Sequence, residues 1–182
     1  LSDLLDMVGR RRSHSKVTDQ APSHPELLPL VAVAARVADH GALRPWRLIE
    51  LRGDARRGLG KAMVEAAGVT GADADRLAAK PLRAELLIAV VASRRDSDTV
   101  AVWEQDAVAA GVAHMLSLLL AAQGWGVMWR SGPLVRTQPV HDAHGLAVSE
   151  ELLGWLYVGG VPTDAKPGVR QAIDPADFLT AL

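Results

Sequence analysis

Apolar positions along the chain fall alternately into helical and strand periods. Leu1, Leu4, Leu5 and Val8 lie on one helical face with Ser2 placed to cap it, and the helix breaks at Ser13 after Arg10, Arg11 and Arg12. A second helix follows Pro22. Ser23 and Glu26 have capping-box spacing, and Leu27, Val31, Ala34 and Ala38 form its stripe. Pro29 lacks a backbone donor inside that segment, which predicts a later start or a kink. Asp39-His40-Gly41 reads as a loop ended by Pro45, and Trp46 to Arg52 as a strand. Residues 54–67 read as a helix capped by Asp54 and terminated by Gly68, and residues 72–80 as a shorter exposed helix closed by Pro81.

Leu86 to Ala92 is apolar without alternation, which predicts a strand covered on both faces. The charged stretch Arg94 to Asp98 reads as a solvated loop. From Val100 to Gln123 the spacing predicts one long helix with Gly124 just past its end, apolar on nearly every face and therefore central to a core or a subunit interface. Trp125 to Trp129 is a short strand, Pro139 to His144 a short helix stopped by Gly145, and Leu152 to Val158 a further buried strand. The tail from Thr163, punctuated by Pro167 and Pro175, is expected to lie extended on a surface. The class is α+β around one sheet, and residues 1–182 form a single domain.

Composition narrows the function classes. Twenty basic and twenty-one acidic residues leave a formal charge of -1, which gives no electrostatic case for nucleic acid or a membrane surface. The uncharged runs Leu27 to Ala35 and Leu86 to Ala92 fall short of a bilayer span. A cytoplasmic location is the default expectation. With no cysteine, disulfides, thiolate catalysis and cysteine-ligated metals are excluded. Five Trp stand against one Tyr and one Phe, and Trp125 and Trp129 flank a single stretch beside Arg130.

Three segments carry candidate chemistry. Arg10-Arg11-Arg12-Ser13-His14-Ser15-Lys16 places four cations and two hydroxyls where a helix gives way to a loop. Guanidinium forks match phosphate oxygens in pairs, although a basic helix end also complements its own dipole. In Gly124-Trp125-Gly126-Val127-Met128-Trp129-Arg130-Ser131-Gly132, glycines bracket a strand and would let a flat ligand approach the main chain, with Arg130 and Ser131 as anion contacts. The third runs from Arg36 to Trp46. There His40 next to Asp39 suggests a catalytic pair, but the chain has no Gly-x-Ser-x-Gly elbow, and a main-chain hydrogen bond is the simpler role for His40. His141 and His144 have i, i+3 spacing without an accompanying acidic cluster, a poor metal set.

Taken in order, Arg11-Arg12-Ser13, Arg36 with Asp39-His40, Pro45-Trp46, Trp103-Glu104-Gln105, Gln123-Gly124-Trp125-Gly126 and Trp129-Arg130-Ser131-Gly132 resemble the FMN-dependent nitroreductases, above all their minimal, YdjA-like branch. The resemblance runs from Leu4 to Gly160. Ala38 stands where the family usually has proline, and Gly41-Ala42-Leu43 replaces more polar loop residues. It implies an α+β fold with a mixed or antiparallel sheet of four or five strands, flanked by helices, in an intertwined homodimer. One FMN per subunit is implied at the dimer interface. Carried over, Arg11, Arg12, Ser13 and Lys16 hold the flavin phosphate and ribityl chain. Arg36 and His40 reach the flavin from the other subunit or the neighbouring loop, and Trp129, Arg130 and Ser131 complete the site. Leu119, Leu120, Ala121, Ala122, Gln123 and Gly124 correspond to the nicotinamide-binding segment.

The implied activity is ping-pong reduction of nitroaromatics, quinones or similar small acceptors by NAD(P)H through flavin N5, with no protein nucleophile and no metal. The same scaffold also supports a flavin-destroying oxygenase, a reductive dehalogenase and a non-catalytic FMN carrier or sensor. Those readings stay open at the level of sequence.

Overall fold

The computed structural model describes residues 2–165 and 171–181. Its helices are α1 (Ser2–Arg10), α2 (His24–Ala34), α3 (Asp54–Ala67), α4 (Gly71–Ala78), α5 (Val102–Ala122) and α6 (Gln138–Ala143). Strands β1 (Trp46–Leu51), β2 (Leu86–Ser93), β3 (Trp125–Arg130) and β4 (Glu150–Gly160) form one sheet in the order β1-β2-β4-β3, every neighbouring pair antiparallel. Short 3-10 turns at His40–Ala42, Lys80–Arg83, Pro133–Arg136 and Pro175–Asp177 join the pieces. Pro81, expected to close the helix before it, starts a separate turn after α4.

The unalternating run predicted as a doubly covered strand is β2. Leu87, Ala89 and Val91 face one core with Leu59, Met63 and Val140, while Leu86, Ile88 and Val90 face a second with Val112, Leu116 and Leu120. Thus α3, α4 and α6 cover one side of the sheet, and α2 and α5 the other. The α2 box forms as its spacing requires: the Glu26 carboxylate accepts the Ser23 amide at 2.7 Å and its hydroxyl at 2.6 Å. Pro29 neither delays the start nor ends the helix, because Pro25 lies in the first turn and box and core contacts at Leu27 and Ala34 hold the rest. The helix stops at Ala34, short of Ala38. There the Arg36 and Val37 amides turn back to the Val33 and Ala34 carbonyls with the tighter three-residue spacing.

Two expectations need correction. By length and composition α5 is apolar enough to cross a membrane, which the shorter runs are not; in this fold one stripe of it, including Val108, Val112, Leu116 and Leu120, packs on the sheet. The stretch after β2 is also not simply solvated. Arg94 is half-buried, with Nε and Nη2 donating to Asp106 at 2.9 and 2.8 Å. Gln105, fully buried, closes the loop by accepting the Arg95 amide at 2.8 Å and donating to the Arg95 carbonyl at 2.9 Å. The tail expectation falls in part on residues 166–170, outside the described residues, and residues 171–181 are exposed.

The sheet has one irregularity. Val90 pairs with Gly154 and Val91 with Leu152, so Leu153 is an extra residue in β4. A bulge shifts the alternation by one position. Leu152, Trp155 and Tyr157 consequently face the α3 side, and Leu156 and Val158 the α5 side. At the start of β4 the buried Glu150 accepts Nε and Nη2 of Arg47 on β1 at 2.6 and 2.7 Å, and it also caps the Ala147 amide at 3.0 Å. The Arg47 hydrogen bonds above all hold its carboxyl well below the usual range, at about 2. Because the folded value lies below the unfolded one, this stabilisation is complete above about pH 4.5 and is lost as the pH falls toward about 2. Glu150→Gln is expected to cost about 2 kcal/mol at neutral pH, after allowance for the part-exposed Arg47. Urea unfolding of both proteins should give a difference that shrinks as the pH falls below about 4.5.

Candidate functional site

The chain after α1 crosses the sheet from the edge strand β3 to the end of β4. The His14 amide donates to the Val127 carbonyl at 2.9 Å, Thr18 to Gly160 at 2.9 Å, and Gly160 back to Gln20 at 3.0 Å. Gly126 permits this approach, since a Cβ there would lie 3.0 Å from Val17 and 3.2 Å from His14. The close neighbour of Gly126 is therefore the chain's own N-terminal segment, where the sequence had suggested a ligand.

Two cavities flank this segment. The first, about 450 Å³, lies between α1 and the end of α5 and is lined by Arg10, Arg11, Arg12, His14, Ala121, Ala122, Gly124 and Trp125, with Asp3 and Asp6 on α1. Burial, and then the charges of Arg12 and Arg11, push the His14 pKa down. The second, about 530 Å³, lies on the α3 side of the sheet and is walled by Trp129, Arg130, Ser131, Gly132, Val135, Trp155 and Tyr157, with Met63, Lys80 and Arg83. Its lining holds three cations and no carboxylate. The Arg130 guanidinium lies 5.2 Å from the Tyr157 ring centre, its Nη2 donates to the Ser15 carbonyl at 3.3 Å, and its Nε is buried with no protein acceptor. Burial is the main cause that raises the Tyr157 pKa, against the opposing pull of Arg130 and Arg83, so its hydroxyl stays protonated. Arg130 thus joins the two cavities through the residue-15 main chain.

The sequence-predicted residues divide among these places. Arg11 and Arg12 line the first cavity, Trp129, Arg130 and Ser131 the second, and Ser13 and Lys16 are exposed outside both. Ala121, Ala122 and Gly124 line the first, while Gln123 faces a neighbouring groove with Thr18 and Gly160. Leu119 is half-buried, and Leu120 is fully buried beneath the sheet, where packing occupies its side chain.

Arg36 and His40 lie elsewhere. His40 bonds Glu104 at the start of α5, Nδ1 to Oε2 at 2.8 Å, so its partner is a side chain instead of the main chain. Asp39 does not pair with His40 but accepts the Arg44 amide at 2.8 Å. The hydrogen bond from His40 is the first cause that lowers the Glu104 pKa. Ala42 and Arg44, at φ 51° and 48°, make this a strained loop.

Known proteins resolve what such a divided site belongs to. The nitroreductase-family sequence profile matches residues 8–160. The chain belongs to the nitroreductase family. Its class of activity is accordingly oxidoreductase. It is 30% identical over 181 residues, 98% of both chains, to YdjA of Escherichia coli (strain K12), a protein assigned provisionally as an NAD(P)H nitroreductase. The fold is shared with a nitroreductase-like family protein from Bacillus cereus, with TM-score 0.85, 21% identity, and 98% of this chain and 95% of that one covered. It is also shared with a mutant of the FMN- and NADPH-dependent nitroreductase NfnB from sphigopyxis sp. strain HMH, with TM-score 0.75, 17% identity and 96% of each chain covered.

Sequence reading missed Lys80, Arg83, Trp155 and Tyr157 in this nitroreductase-family chain. The two cations sit in an ordinary-looking turn, and the two aromatics reach the cavity only because of the β4 bulge. Gly154, inside an otherwise apolar strand, was the available signal. At φ 129° it has no room for a side chain: a Cβ would overlap the Arg130 carbonyl oxygen and lie 2.8 Å from Trp129 Nε1. Gly154→Ala is expected to destabilise the protein by about 3 kcal/mol or more. Thermal unfolding against wild type measures this, and a variant of unchanged stability would contradict the packing described.

Proposed function

We propose that this chain is an FMN-dependent NAD(P)H oxidoreductase of the YdjA-like branch that reduces nitroaromatic, quinone or similar small acceptors. The observation that carries this reading is the second cavity, where three cations face no carboxylate and a buried guanidinium nitrogen of Arg130 lacks a protein acceptor. Cations that face no carboxylate suit an anionic ligand. Trp155 and Tyr157 add aromatic surface for a flat ring system, while the Trp129 ring packs against His114 on the α5 side and only its main chain borders the cavity. In this reading Arg11, Arg12 and Ser13, with Lys16 nearby, hold the phosphate and ribityl chain. Trp129, Arg130 and Ser131 hold the ring, and Lys80 and Arg83 place positive charge near it. When bound, FMN supplies hydride acceptance from NAD(P)H and delivery to the acceptor. The protein's own part is orientation, charge and exclusion of water, with the Ala121–Gly124 end of α5 beside the nicotinamide. That an FMN- and NADPH-dependent enzyme shares the fold supports this reading. In this proposal the enzyme works in the cytoplasm on NAD(P)H and a small acceptor, without nucleic acid or membrane as partner.

The active unit in this proposal is a homodimer. Glu104, with His40 on it, is at one end of α5 and Ala122 at the other, and a helix of 21 residues is about 30 Å long. His40 therefore stands far from Arg11 and Arg12 of its own chain, and Arg36, beside the Val37 that packs on Gly111, lies along the middle of α5. Packing two copies about a twofold axis, with their α5 helices antiparallel, brings the two sets together. Leu4, Leu5 and Val8 on α1, Leu28 and Val33 on α2 and Trp103 on α5 are exposed apolar residues that such an interface would cover.

Three measurements test the proposal. Cofactor released by acid and run on reversed-phase chromatography should co-elute with FMN; FAD, or no flavin after reconstitution, refutes it. Arg12→Ala and Arg130→Ala should each weaken FMN binding by about 1.5–3 kcal/mol in isothermal titration, and the exposed control Arg57→Ala should not. Light scattering after size exclusion should return the mass of two chains, and a fully loaded monomer excludes the shared site.

A further inference from the structure

The two histidines of α6 are both engaged, and one of them holds a wall of the second cavity. His141 donates Nε2–H to the Val135 carbonyl at 2.9 Å. His144 is buried and bonds through both ring nitrogens: Nδ1 lies 2.7 Å from the Val140 carbonyl and Nε2 lies 2.9 Å from Nε1 of Trp155. A carbonyl only accepts and an indole N–H only donates, so the partners fix the state of the ring: Nδ1 carries the proton and Nε2 is a bare acceptor. Trp155 is 3% exposed and lines the cavity with Val135, Arg130 and Tyr157. Its indole has this one bond, so the acceptor lone pair of His144 sets the orientation of that part of the wall.

We propose that His144 is a positioning residue for the cavity wall: its neutral ring holds Trp155 in place, and protonation of Nε2 releases Trp155 and weakens binding in the cavity. A second proton on the ring would set an N–H against the indole N–H at 2.9 Å, where neither can accept. The two donors must part, and the indole can yield only by moving the wall. The charged surroundings favour the neutral ring. Arg47 of β1 donates to the Gly145 carbonyl beside it and to Glu150 of β4, and His141 shares its helix. The neighbouring charges are otherwise committed, Arg136 of the preceding turn to Glu151 and the buried Arg56 of α3 to Ala84 and Glu85. Burial, followed by the charges of His141 and Arg47, lowers the His144 pKa against the opposing Val140 bond. Since the folded value lies below the unfolded one, the stabilisation is whole above about pH 6.5 and is lost as the pH falls through the lowered value.

Nitrogen-15 NMR of the tryptophan side chains tests the release without any ligand. The Trp155 indole signal, assigned by its loss in Trp155→Phe, should hold still above about pH 6.5 and shift together with the His144 ring as the pH falls below it. In His144→Gln, whose amide oxygen accepts the same N–H and does not titrate, the signal should stay fixed. A wild-type signal that ignores pH, or one that titrates equally in His144→Gln, overturns the proposal. Should His144→Gln fail to fold, Trp155→Phe decides alone: with no donor aimed at Nε2, the His144 titration should move to higher pH, and an unmoved titration overturns the proposal.

The effect on binding rests on the FMN reading and is measured separately. At a pH below the titration that the His144 ring signal shows, wild type should bind FMN about fivefold more weakly relative to His144→Gln than at about pH 8, the worth of one hydrogen bond. Ionisation of the FMN phosphate affects both proteins alike and cancels in this ratio. A ratio that does not change with pH overturns the link to the cavity. If neither protein binds FMN at any pH, the cofactor reading fails while the indole titration still decides the role of His144.

Discussion

Between Val90 and Val91 of β2, β4 carries one residue more than its partner, and the positive φ of Gly154 absorbs it. If residues 152–157 alternated regularly, with no bulge, Trp155 and Tyr157 would turn toward α5 and Leu156 toward α3. The α5 side already houses Val112, Leu116 and Leu120, and two large aromatics would have to displace them. With it, a tryptophan and a tyrosine stand beside Arg130 on the face that has space, and the missing Cβ at 154 lets the Trp129–Ser131 main chain close over the strand. The aromatic wall of the cavity and the His144 contact both follow from this single irregularity.

Charge is arranged to match. The buried or half-buried cations Arg47, Arg56 and Arg94 each have a carboxylate, so their desolvation is compensated within the fold. The cations around the second cavity have none in its lining. A protein with a formal charge of -1 thus carries a local excess of positive potential beneath a neutral exterior. Attraction for a phosphate-bearing, electron-poor ring is a property of the cavity and not of the molecule as a whole.

Where one physical signal dominated, the fold was legible in the sequence. The unbroken apolar run of β2, the capping box of α2 and the long period of α5 each had one structural solution, and the ends were found to within a few residues. The loop after β2 was misread because a run of charges looks the same whether its partners are water or Asp106. The length of α5 was passed over as a possible span because a core helix and a membrane helix share a composition and differ only in what packs on them. In the candidate site, clustered motifs such as Arg11-Arg12-Ser13 and Trp129-Arg130-Ser131 were visible because neighbours in sequence stay neighbours in space. Lys80 and Arg83 were not, since only the turn after α4 brings them to β3. Arg36 and His40 illustrate a different limit: their distance from the other motifs is set by the length of α5, and no reading of one chain brings them together.

Gln105 belongs to the Trp103-Glu104-Gln105 triplet, yet its side chain bonds the main chain of Arg95 and lines neither cavity. Its amide offers Arg95 one donor and one acceptor, the same pair a neighbouring strand would present, and its Nε2 also reaches the Val100 carbonyl at 3.4 Å, so the sheet gains in effect a one-residue extension past the end of β2. The loop from Arg95 to Val100 is consequently anchored at its root by one side chain. Its tip is folded separately, by the Ser97 hydroxyl that accepts the Thr99 and Val100 amides at 3.3 and 3.0 Å, so the turn and its attachment to the strand rest on two different side chains.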